Sequence, residues 1–163
     1  MENNFDTLFL DRDGVINYKI ENEYVKSICE FKFIPDFIHV VKDLSLLFNR
    51  IIIITNQQGI GKGLMSISDL NKIHEYMLNT INHNNGRIDK IYYCPHLDSD
   101  NCICRKPSPG MIQKAFEEYP EINRKKSYLI GDSDSDIQAG ISEKLITVKV
   151  SSKFTILDWF NSL

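Results

Sequence analysis

Four isoleucines in succession, Ile51 to Ile54, leave this segment no polar face to turn toward water. A strand apolar at every position is buried on both faces, as strands are inside a parallel sheet covered by helices. The rest of the chain agrees. Strand-like runs recur at 7–10, 50–54, 88–93, 127–130 and 145–149, and apolar residues fall at helical spacing between them. The segment 36–48 carries Phe37, Val40, Val41, Leu44, Leu47 and Phe48; 68–82 carries Leu70, Ile73, Met77, Leu78 and Ile81. Ser68 is placed to cap the second of these helices, with Asp69 favourable in its first turn. Ser108-Pro109 opens a further helix with proline at its first position, and 154–161 closes the chain as a short one. Such alternation implies an α/β fold, a parallel sheet with right-handed crossovers and helices on both faces.

At 163 residues with 42% hydrophobic content, one domain spanning 1–163 is expected. A net charge of −3 gives no field to draw in a nucleic acid. No apolar run has the length of a membrane span, and Met1-Glu2-Asn3-Asn4 does not read as a signal peptide, so a cytoplasmic protein is expected. Two stretches break the alternation: 15–34, which passes through Tyr18, Tyr24 and Phe31, and the polar segment 94–108. No room is left between strands for a large cap domain. These two loops should therefore roof the site and set specificity, and no spare apolar helix calls for a second subunit.

The chemistry-bearing residues fall where strands end. Asp11 and Asp13 follow the first strand in Asp-Arg-Asp-Gly; Thr55-Asn56 follows the isoleucines; Gly131-Asp132 follows Ser127–Ile130; Lys106 lies in the second loop. In an open α/β sheet the carboxyl edge is where ligands bind. Each pattern alone is commonly a turn or a helix start. Together, in this order, they describe a magnesium-dependent phosphoryl-transfer site. Asp11 is placed as nucleophile, and Asp13 as general acid and then general base, with a pKa expected to rise beside its neighbour. Asp11, Asp132 and the Asp13 carbonyl would hold magnesium, an ion that wants oxygen ligands. Thr55, Asn56 and Lys106 would meet the phosphoryl oxygens, and Asp136 would orient metal-bound water.

Three of the four cysteines fall within eleven residues, and Cys94, His96, Cys102 and Cys104 form Cys-x-His-x5-Cys-x-Cys. Three thiolates and an imidazole make a closed, structural zinc site without an open position for water. A loop clasped in this way aims Arg105 and Lys106, which follow directly, at the phosphate. Cys29 is expected to be a packed thiol, and His39, His74 and His83 to be surface or core residues rather than ligands.

The motif from Phe9 to Asn17, with Thr55-Asn56-Gln57, Lys106-Pro107 and Gly131 to Asp136, resembles the haloacid dehalogenase-like phosphatases over residues 5 to 150. That resemblance implies a Rossmann-like fold, an aspartyl-phosphate intermediate and magnesium. Tyr92 to His96, Cys102 to Met111 and Thr55 to Gly63 look like the D-glycero-D-manno-heptose 1,7-bisphosphate 7-phosphatases and, close to them, the histidinol-phosphate phosphatases. The resemblance implies a sugar phosphate substrate that loses its C7 phosphate. Arg105 and Gln57 would then bind it, and the segment around Tyr24 would close over it. Three features depart from the heptose pattern: the short spacer between the zinc-ligand pairs, Ser133 where lysine is common, and Gln58 where serine is frequent. Nucleic-acid 3′-phosphatases share the first two motifs, but the acidic balance argues against them. A non-catalytic zinc-binding module would be expected to lack one of Asp11, Asp13, Thr55, Lys106 or Asp132, and none is missing.

Overall fold

The computed structural model describes residues 5–163; Met1-Glu2-Asn3-Asn4, read above for a signal peptide, lie outside the described residues. Five strands, β1 (Phe5–Leu10), β2 (Phe48–Asn56), β3 (Lys90–Cys94), β4 (Tyr128–Gly131) and β5 (Ile146–Lys149), pair in the order β3-β2-β1-β4-β5. Every pairing is parallel, and Leu8, Phe9 and Leu10 of β1 sit opposite Ile51, Ile52 and Ile53. The helices are α1 (Pro35–Leu47), α2 (Gln58–Gly61), α3 (Ile67–His83), α4 (Gly110–Glu118), α5 (Asp134–Ser142) and α6 (Ile156–Asn161).

Strand side chains alternate between faces, and the core divides accordingly. Leu8, Leu10, Ile51 and Ile53 pack with Phe37, Val41, Leu44, Ile73, Met77 and Trp159, which come from α1, α3 and α6. Phe9, Ile52, Ile54 and Leu129 face the other way, onto Met111, Ile112 and Ala115 of α4 and Ala139 of α5. All four isoleucines are fully buried, as their unbroken apolar run requires. The chain leaves β1 toward β2 on one side and later returns to pair β4 on the other. The strand order therefore reverses at β1, and a crevice opens there beyond the carboxyl ends.

The structure corrects several local expectations. Ser66, not Ser68, caps α3: its hydroxyl accepts from Asp69 N at 3.0 Å while Asp69 Oδ2 accepts from Ser66 N at 2.8 Å. This reciprocal box satisfies two end groups at once; a cap at Ser68 would put Asn71 in the reciprocating position. Helix α4 begins at Gly110 with Pro109 as its cap, because Gly110 N is already committed to Ile103 O at 2.8 Å. Cys29 is exposed rather than packed, since it lies on a single surface 3₁₀ turn, Ile28–Glu30, with no buried residue. His39 and His83 are exposed and His74 is buried. No helix among the described residues is long and apolar enough to cross a membrane.

Candidate active site and metal centres

Asp11 follows the last residue of β1, and its N–H still bonds Ile130 O of β4 at 3.0 Å, so the sheet holds its backbone. Its Oδ1 accepts from Lys106 Nζ and from Arg12 N, both at 2.9 Å. Lys106 is buried in the second loop, 95 residues away. Asn56, at the end of β2, fixes its backbone: Asn56 Oδ1 accepts from Lys106 N at 3.0 Å, and Asn56 Nδ2 donates to Lys106 O at 3.1 Å. The ammonium then reaches Ile54 O, Asp11 and Asp136 together. Burial works against a charge on Lys106, but Asp11 and Asp136 outweigh it and raise its pKa.

Negative charge is in excess here. Burial pushes Asp11 up, Lys106 pulls it down, and Asp136 and Asp13 push it up again, to about 8. Asp11, Asp132 and Asp136 each offer a carboxylate oxygen within 4.8 Å of the others. Asp132 Oδ1 is buried without a hydrogen-bond partner. An all-oxygen donor set that is short of positive charge and carries an orphaned oxygen fits a hard divalent cation such as magnesium. Asp136 is the most committed of the three: one oxygen meets Lys106, while Oδ2 accepts from Ser133 N and Oγ at 3.2 and 2.8 Å. Lys106, Ser133 and its place at the start of α5 thus account for Asp136, which a reading of strand ends assigned only to water.

Gly14 is required for this cluster. Its φ is +94°, and a Cβ there would lie 2.2 Å from Asp132 Oδ2. Gly14→Ala is therefore expected to displace Asp132 and to weaken magnesium affinity by about 10–100-fold. Magnesium titration of turnover measures this, and unchanged affinity would contradict it.

Asp13 departs from expectation. Burial pushes its pKa up, but the Arg12 guanidinium and hydrogen bonds from Asn17, Arg12 and Gln57 outweigh burial and hold it below the ordinary carboxylate range. Arg12 Nη2 and Asn17 Nδ2 reach Oδ1 at 2.9 Å each, and Gln57 Nε2 reaches Oδ2 at 3.0 Å. Donors, rather than the neighbouring Asp11, decide its charge. Its carboxylate is turned to these donors and is not among the three that converge on one position. The same Gln57 amide donates to Thr55 Oγ1 at 2.9 Å, so Gln57 is spent largely on orienting Asp13 and Thr55.

Reading strand ends alone misses Arg12 and His74. Arg12 has no exposed surface; besides Asp13 it meets His74 Nε2 of α3 at 3.1 Å. Burial, and then Arg12, push the His74 pKa down to about 3, so its neutral ring accepts from the guanidinium. The signal was present: an arginine between two aspartates in a buried turn needs a second acceptor.

The cavity above Asp11 and Asp13, of about 230 Å³, is walled by Tyr24 and Val25 of the first loop and by Arg105 and Lys106 of the second. Both loops therefore roof it, and no cap domain is found among the described residues. The side chains of Cys94, His96, Cys102 and Cys104 also converge. Cys94 Sγ lies 3.4 Å from His96 Nδ1 and 3.5 Å from Cys102 Sγ, Cys104 Sγ lies 3.1 Å from His96 Nδ1, and Cys94 and Cys104 are closest at 2.7 Å. A tetrahedral zinc site has ligand–ligand edges of about 3.6–3.8 Å, so a small expansion of the cluster accommodates zinc with all four positions filled by protein.

A protein-family model described as polynucleotide kinase 3 phosphatase matches residues 6–158. The D-glycero-alpha-D-manno-heptose-1,7-bisphosphate 7-phosphatase of Campylobacter jejuni is 42% identical over 86% of this chain and 79% of its own. The corresponding beta-anomer enzyme of Helicobacter pylori is 37% identical over 85% of this chain and 78% of its own. Among solved structures, the D,D-heptose 1,7-bisphosphate phosphatase of B. bronchiseptica, complexed with magnesium and phosphate, superposes with a TM-score of 0.85 at 31% identity, covering 95% of this chain and 84% of that one. On these grounds of fold, motif and identity, the chain is a haloacid dehalogenase-like phosphatase that belongs to the polynucleotide kinase 3 phosphatase family, alongside the D-glycero-D-manno-heptose 1,7-bisphosphate 7-phosphatases.

Proposed function

We propose that the chain removes the C7 phosphate of D-glycero-D-manno-heptose 1,7-bisphosphate in a magnesium-dependent reaction through a phosphorylated Asp11. One observation supports this above others. Asp11, Asp13, Arg105 and Lys106 line one small cavity, in a chain 42% identical to an enzyme named for that reaction.

The C7 phosphoryl group enters between Asp11 and the cations. An Asp11 oxygen attacks phosphorus in line, the bond to the C7 oxygen breaks, and that oxygen takes a proton from Asp13. Asp13 rests ionised, so it takes this proton from solvent water as the phosphoryl dianion settles against it and raises its proton affinity. Water then attacks phosphorus, gives its proton to Asp13, and releases phosphate from Asp11. Lys106, the Thr55 hydroxyl, whose proton is free while its oxygen accepts from Gln57, and the Asn56 N–H stabilise the equatorial oxygens. Asp11, Asp132 and the Asp13 carbonyl would hold magnesium, which when bound would supply the charge neutralisation that lets a dianion approach a carboxylate. Cys94, His96, Cys102 and Cys104 would hold a structural zinc with no open position, fixing the loop that delivers Arg105 and Lys106. Arg105 and Tyr24 face the sugar. Clustered cysteines that bind a metal rather than form disulfides fit a reducing cytoplasm, where the enzyme works as a monomer on a small molecule.

Phosphate release with magnesium, measured on both heptose anomers, histidinol phosphate and a 3′-phosphorylated oligonucleotide, tests this. At least about tenfold higher kcat/KM for one heptose anomer is expected; a difference of one or a few contacts supplies selectivity of that order. The short zinc-loop spacer favours histidinol phosphate as the second reading, and preference for it would overturn the heptose assignment while leaving the chemistry. Preference for the oligonucleotide would overturn both the substrate class and the significance given to the −3 net charge.

A further inference from the structure

Gln58, the first residue of α2, has no part in the chemistry above, yet its side-chain amide is shared by the two loops that roof the cavity. Its Nε2 donates to the Tyr24 hydroxyl at 3.0 Å, and its Oε1 accepts from the backbone N–H of Asp98 at 2.8 Å. Tyr24 belongs to the first loop; Asp98 lies between two ligands of the cysteine–histidine cluster, His96 and Cys102. The turn that carries Gln58 is fitted between the same two loops. A Cβ on Gly61 would lie 2.6 Å from Pro95 O and 3.3 Å from Leu97, and Lys62 Nζ stands 5.2 Å from the centre of the Tyr24 ring. Asp98 also pairs with Arg105, Nε to Oδ1 at 3.6 Å, and Arg105 Nη1 is buried without a partner.

We infer that Gln58 is a positioning residue that sets substrate affinity by locking Tyr24 and the cysteine–histidine loop into one arrangement. An amide offers a donor at one end and an acceptor at the other, which is what a hydroxyl and a backbone N–H placed on opposite sides demand. A serine, with one short hydroxyl arm, cannot span both. Because the Tyr24 oxygen accepts from Gln58, its own proton is left to donate into the cavity, toward a hydroxyl or phosphate oxygen of the substrate. Through the backbone of Asp98 the same amide steadies the segment whose carboxylate pairs with Arg105, which also lines the cavity. The two side chains that meet the non-reacting part of the substrate are thus held at a fixed separation, which lowers the ordering cost of binding.

The test combines a substrate-free readout with a kinetic one; only the kinetic one rests on the heptose bisphosphate reading. In the zinc- and magnesium-loaded protein, Gln58→Ala is expected to speed hydrogen exchange at the Asp98 amide by about tenfold, since that amide loses its acceptor. KM for heptose 1,7-bisphosphate should rise about tenfold while kcat stays within about twofold, the signature of lost binding rather than lost chemistry. Tyr24→Phe should raise KM similarly, and the double variant should raise KM by clearly less than the product of the two single effects, because both changes cut the Gln58–Tyr24 link. Gln58→Ser serves as the second variant if the alanine form does not fold, with the same expectations. Unchanged exchange at Asp98, fully additive effects on KM, or a fall in kcat without a change in KM would each overturn the inference. If wild type prefers histidinol phosphate, the heptose reading alone fails; the exchange measurement and the same cycle on that substrate still decide the role of Gln58.

Discussion

Asp11→Asn is expected to abolish turnover, by about 10⁴-fold or more as nucleophile losses commonly do, and to leave the fold intact. It is also expected to change how stability depends on pH. In the metal-free protein the Asp11 pKa is raised from 3.8 to about 8, chiefly by burial. The folded state therefore holds that proton more tightly than the unfolded chain. The resulting stabilisation is whole below pH ~4 and is lost as pH rises toward 8, with a slope of up to about 1.4 kcal/mol per pH unit. Thermal melts of the metal-free protein between pH 5 and 8 should show wild type falling relative to Asp11→Asn. Saturating magnesium should recover the loss in wild type at high pH and do little for the variant. Parallel curves would contradict the charge excess assigned to this cluster.

The second large effect is expected at the cysteine–histidine loop. Cys104 touches Cys94 and His96 and directly precedes Arg105 and Lys106, so Cys104→Ser should lower zinc content and loosen the loop's hold on both cations. A structural zinc contributes folding free energy directly. Turnover should fall about 100-fold, the upper end of what a displaced support around a site costs. Stripping zinc from wild type with a chelator should reproduce the loss, added magnesium should not repair it, and zinc should. The core layer in which Leu8, Leu10, Ile51 and Ile53 pack against α1, α3 and α6 should survive, because no side chain of the loop belongs to it. Full turnover in zinc-free protein would show that the loop carries no catalytic geometry.

Much of this architecture was legible in the residues. The isoleucine run marks a central strand because no polar position interrupts it, and Asp11, Thr55 and Asp132 stand at strand ends because the strands stop where the apolar runs stop. Local competition was harder to read. Ser66 and Ser68 are equally good caps in isolation; only the reciprocal bond from Asp69 separates them. The ionisation of Asp13 is not legible from the Asp-Arg-Asp spacing, because the donors that outweigh its burial include Asn17 and Gln57 as well as Arg12, and the fold brings Gln57 to it from 44 residues away. Helices α2 and α5 are hard to read from spacing because they begin inside the functional motifs themselves, where polar residues interrupt the apolar pattern. His74 and Gln58 could not be placed from spacing at all. Their partners, Arg12, Tyr24 and Asp98, lie far off in the chain, and only the fold brings them together.

The most direct measurement is a rapid acid quench of the magnesium-loaded enzyme mixed with heptose 1,7-bisphosphate, followed by peptide mass analysis. A phosphoryl adduct on the peptide containing Asp11, absent in Asp11→Asn, is expected together with heptose 1-phosphate as the released sugar. An adduct on another residue, or steady release of that product without any adduct on Asp11 at any quench time, would contradict the assignment of Asp11 as nucleophile.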